Sequence, residues 1–84
     1  MFKLTQMQID MLAVAMQHSA EHVLHIFAAA YSMGDLATIQ YIANNYAQHY
    51  SAEQVAIMQQ CVTATQQYIA EMQTAEIIEN AMLH

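Results

Sequence analysis

Three histidines, His18, His22 and His25, recur at i, i+4 and i+7, with Glu21 beside them. On a helix this spacing puts the imidazoles on one face, where two of them one turn apart can chelate a transition-metal ion. All three cannot reach one ion, because the first and last stand about 10 Å apart along the axis. A site would therefore pair His18 with His22, or His22 with His25, and complete its ligand set from a second helix or a symmetry mate. His49 and Glu53 form another i, i+4 pair. The competing use of the three histidines is structural, as a polar seam that sets register inside a subunit interface. Two or three convergent ligands fall short of a closed metal site, so the structural use is preferred.

The remaining reactive side chains carry less. Cys61 lies within an apolar helical stripe, with no cation beside it and no helix N-terminus to lower its pKa, so it reads as a small buried hydrophobe. Ser51 is explained by helix capping, and Ser19 has no nucleophile-elbow context. Glu76 and Glu79 stand one turn apart near an open helix end, a poor setting for general acid–base work. One glycine, Gly34, cannot build a phosphate-cradling loop. No catalytic constellation emerges, and the chain reads as a non-enzyme.

Composition narrows the classes further. The 84 residues suffice for one small domain, 57% of them are hydrophobic and 10% charged. Lys3 is the sole cation against seven carboxylates, giving a net charge of −6. Binding to nucleic acid requires several cations to displace phosphate counterions, and docking on an anionic membrane requires the same. Both are excluded as expectations. The apolar stretch Met11–Tyr31 is not a membrane span, because Gln17, His18, Ser19, Glu21, His22 and His25 interrupt it. A single cysteine and no visible signal peptide lead to the expectation of a cytoplasmic protein.

The elements that must position these residues are all helical. Fifteen Ala and eleven Gln occur with no Pro, and no segment alternates as a strand would. Thr5 with Gln8 and Ser51 with Gln54 have capping-box spacing, while Gly34-Asp35 reads as a helix stop followed by a new N-cap. These signals divide the chain into three predicted helices, long, short and long, at about 6–33, 36–49 and 52–82. The fold class is thus an all-α bundle in a single domain, residues 1–84. The first helix gathers Ile9, Leu12, Met16, Ala20, Val23, Phe27 and Ala30 on a core face. Its opposite face, where charges belong, carries Met7, Met11, Val14, His18, His22, His25 and Ala29 instead.

Two apolar faces on one helix need more cover than two other helices provide. Continuous from 6 to 33, that helix would span about 42 Å, in a chain whose compact radius of gyration is about 12 Å. Homodimerisation through the face of Met7, Met11, Val14, His18, His22, His25 and Ala29 is the expected solution. A break near Ser19, giving a four-helix monomer, is the alternative. Tyr41, Asn45 and Gln48 lie on the outer side of the second predicted helix. With Glu71, Glu76 and Glu79 at the off-register end of the third, they form the expected partner-binding surface. Acidic surface without cations suits a basic protein partner. The expected function is therefore that of a non-catalytic, self-associating protein that binds another protein, as an adaptor or inhibitor does. Phage or mobile-element inhibitors of basic, nucleic-acid-handling host proteins work in this way. The alternatives are a transition-metal-binding or sensing bundle built on His18, His22 and His25, with the metal as its one cofactor, and an oligomer that sequesters a small molecule.

Overall fold

The structure, a computed structural model, describes residues 3–82, with the side chains of Glu76 and Asn80 left aside. Four α-helices follow one another, α1 Gln6–His18, α2 Ala20–Ser32, α3 Leu36–Asn45 and α4 Ala52–Met82, with a 3₁₀ turn at Ala47–His49. No strand occurs among the described residues, as the composition led us to expect. Each predicted cap is in place. Thr5 Oγ1 accepts the Gln8 N–H at 3.2 Å while Gln8 Oε1 accepts the Thr5 N–H at 2.8 Å. Ser51 and Gln54 repeat that exchange at the head of α4, at 3.1 and 3.0 Å.

The long first helix of the sequence reading is two helices, and the three-helix count is corrected to four. Ser19 is the break. Its backbone is extended (φ −169°, ψ 145°), its N–H closes α1 on the Ala15 carbonyl, and its Oγ caps α2 by accepting the His22 N–H at 3.0 Å. One residue thus closes α1 with its backbone and starts α2 with its side chain, a capping role open to serine and closed to alanine. The break folds α1 back along α2, which lets Leu12 and Ala15 enter the same core as Val23, Phe27 and Ala30. A continuous helix would hold those two groups on separate stretches of a rod. The second predicted helix also ends early, at Asn45, and its last turn becomes the 3₁₀ turn.

Packing centres on α3. Ile39 and Ile42 are wholly buried, between Val23 of α2 and Met58 and Val62 of α4. The phenol of Tyr50 donates to the Ala20 carbonyl at 2.8 Å and ties the α3–α4 corner to the first turn of α2. Only the first half of α4 joins the core. From Ala70 onward every described side chain is exposed, so the helix projects past the bundle. The molecule is accordingly elongated, 53 × 29 × 17 Å, with a radius of gyration of 15.3 Å.

The turn between α2 and α3 depends on one glycine. Gly34 has φ +71°, its N–H reaches the Tyr31 carbonyl at 3.0 Å, and the Asp35 N–H reaches the Ala30 carbonyl at 2.9 Å. This is the glycine-ended helix stop that the sequence signals. A β-carbon at Gly34 would meet no atom within 4 Å. Gly34→Ala therefore isolates the left-handed strain, and it is expected to cost about 1–2 kcal/mol. Thermal unfolding would show this as a fall of roughly 4–8 °C per kcal/mol for a domain of this size. Gly34→Asn should recover part of the loss, since asparagine tolerates this backbone region.

Candidate partner-binding groove

Folding α1 back along α2 leaves a trough between them. Leu4, Met7 and Asp10 from the start of α1 share it with Met33, Asp35 and Thr38 from beyond the end of α2. These two groups would lie about 40 Å apart on a straight rod, so the helices must run side by side. The trough encloses about 900 Å³ and is open to solvent along its length. Its walls are apolar and bare. Met7, Met11, Val14 and Met33 are 72, 65, 55 and 79% exposed.

Six of the seven residues predicted for self-association line this trough: Met7, Met11, Val14, His18, His22 and Ala29. His25 does not line it, although it too is exposed. The predicted face is therefore real as a surface but concave, because its two halves lie on separate helices. Leu4, Ile26, Ala30 and Thr38 also line it, and sequence reasoning missed them because they face the trough only once the chain bends at Ser19.

Polar groups in the trough are few and sorted by position. His18 and His22 flank the Ser19 hinge, while Asp10 and Asp35 lie at the open end. Asp10 is engaged by the Gln6 amide at 3.0 Å. Asp35 caps α3, with Oδ1 accepting the Thr38 N–H at 3.2 Å and Oδ2 accepting the Thr38 hydroxyl at 2.6 Å. No three His, Cys, Asp or Glu side chains gather as a metal site would require, among the described residues. Among the described residues, no further donor joins the His18/His22/His25 row.

The other predicted surface is divided. Tyr41 is half-buried, packs against the core, and meets Tyr46 edge-to-face with ring centroids 6.0 Å apart. Asn45 is exposed, with its amide donating to the Tyr41 carbonyl at 2.9 Å, and Gln48 is exposed in the 3₁₀ turn. Glu71 and Glu79 are exposed on the projecting half of α4, and the Glu76 side chain lies outside the described residues. Burial raises the Tyr46 phenol above its usual value, with Tyr41 adding to the effect. Burial does the same at Tyr50, helped by Tyr46, so its hydroxyl keeps the proton it donates to Ala20. Cys61 is half-buried against the core, as its stripe position indicates. No helix among the described residues is long and apolar enough to cross a membrane.

No family model, no curated protein and no solved structure matches the chain. The fold and the trough define a helical protein with an open, largely apolar groove between α1 and α2.

Proposed function

We propose that the chain is a non-catalytic, self-associating helical protein that acts by binding another protein, as an adaptor or inhibitor does. The observation that carries this reading is the α1–α2 trough, where Met7, Met11, Val14 and Met33, each more than half exposed, line one open apolar surface. Self-association covers the trough. Asn45 at the end of α3, Gln48 in the 3₁₀ turn and the carboxylates Glu71 and Glu79 on α4 then face a second, basic protein. A cytoplasmic target that handles nucleic acid has the charge this surface calls for, and the single cysteine suits that compartment. A small apolar ligand is the second reading, because 900 Å³ falls within the range of ligand pockets.

The test is native mass spectrometry with sedimentation. Wild-type protein is expected to self-associate, and Met11→Glu/Val14→Glu to be monomeric with unchanged helix content. Both positions are exposed, so the pair should alter folding stability by no more than about 1 kcal/mol. A wild-type chain that stays monomeric at about 100 μM, far above the dissociation constants of stable dimers, would overturn self-association. A bound mass that leaves on denaturation would favour the ligand reading.

A further inference from the structure

We propose that the trough of one copy is filled by the projecting half of α4, Ala70–Met82, of a second copy, each chain seating its partner's helix while offering its own. The inference rests on the self-association proposed above and specifies the segment that performs it.

Shape is the first argument. The trough is walled by two helices of 13 residues each, about 20 Å long, and the projection is also 13 residues, about 20 Å. The molecule therefore carries one unpartnered concave surface and one unpartnered helix of the same length. Chemistry agrees. Met72, Ile77, Ile78 and Met82 are 54–81% exposed. Ala70, Thr74, Ile77, Ile78 and Ala81 fall within an arc of about 100°, a face of the projection that a groove can seat. Glu71 lies just outside that arc and Glu79 on the far side of the helix, so neither carboxylate need enter the trough.

Position is the second argument. Tyr68, at the root of the projection, shares a hollow of about 430 Å³ with Tyr31, Met33 and Gly34, and Met33 also lines the trough. The projection thus leaves the bundle beside the open end of its own trough and runs away from it as one unbroken helix. A two-fold axis at that end lays each projection along the other copy's trough.

The area suffices. A helix about 10 Å wide and 20 Å long, seated to half its depth, covers about 300 Å² on each surface. Two reciprocal seats give about 1,200 Å² in total, the lower edge of stable interfaces. Charge sets a signature. No Lys or Arg lines the trough, so no ion pair holds the projection there and added salt should not loosen the dimer. A basic foreign helix in the same trough would be released by salt.

Complementation tests this with the full chain, followed by sedimentation equilibrium and circular dichroism. Met11→Glu/Val14→Glu disables the trough and Ile77→Glu/Ile78→Glu disables the projection. Each alone should self-associate at least about 30-fold more weakly than wild type, as loss of a hot-spot contact does. Mixed in equal amounts, they should associate more tightly than either does alone and more weakly than wild type, since one of the two seats remains intact. A projection variant that dimerises as tightly as wild type, or a mixture no tighter than either variant alone, overturns the assignment while leaving self-association standing. A monomeric wild type removes both. Weakening of the wild-type dimer between about 50 and 500 mM NaCl also counts against it.

Discussion

Ile39→Ala is expected to remove about 2–5 kcal/mol of folding free energy, the range for emptying a well-packed aliphatic site. Ile39 has no exposed surface, and its neighbours in the core come from the helices on both sides of α3. Collapse around the cavity is limited, because Val23, Ile42 and Met58 are themselves fully engaged. An 84-residue domain has a total stability of roughly 4–12 kcal/mol. The substitution therefore removes a third or more of the stability at mid-range. Urea titration at low micromolar concentration gives the value with self-association suppressed. Ile77→Ala is the control, exposed on the projection and expected to change monomer stability by less than about 0.5 kcal/mol. Equal effects at the two positions would mean that α3 is not the keystone of the core.

Asp35→Ala should cost about 2–4 kcal/mol, well above the roughly 1 kcal/mol of an ordinary N-cap. The excess comes from Thr38, which is buried and gives its hydroxyl proton to Asp35 Oδ2 at 2.6 Å. Truncating the carboxylate deletes the cap and leaves a buried hydroxyl without its acceptor, and an unmet buried donor costs more than a hydrogen bond gains. The double variant Asp35→Ala/Thr38→Val removes both partners together. It should be more stable than the sum of the single effects by about 1 kcal/mol or more. Additive single effects in a chemical-denaturation cycle would show that the 2.6 Å contact has no separate energetic role. Because Asp35 also borders the trough, the single variant reports on both the fold and the mouth of the site.

The parts of the fold legible in the sequence are those set by local chemistry. Thr5/Gln8, Ser51/Gln54 and Gly34-Asp35 work within four residues of chain, and each cap stands where its spacing puts it. Ser19 is equally local as a cap, yet whether it breaks the helix is decided by tertiary gain, the joint burial of Leu12, Ala15, Val23 and Phe27. Periodicity cannot weigh that gain, since the apolar rows continue in phase through residue 19. The same limit governs the candidate site. Met7, Met11, Val14, His18, His22 and Ala29 are legible as a surplus apolar row, but a row on a rod and a row lining a trough share one spacing pattern. The half-burial of Tyr41 is tertiary in the same way: the chain turns after Asn45 and sets Tyr46 edge-to-face against its ring.

The hinge at Ser19 bears on energetics as well as shape. Helix α1 contributes only Leu12 and Ala15 to the fully buried core, whereas α2 and α3 contribute the wholly enclosed side chains. Few buried contacts define a segment that opens at low free energy while the remainder stays folded. Each swing of α1 away from α2 dismantles one wall of the trough. Whatever occupies the trough must bind the closed arrangement, and part of its binding energy goes into holding α1 shut. Occupancy and the local stability of residues 6–18 are thus linked quantities, and a ligand's affinity is also a measure of how often an empty α1 is closed.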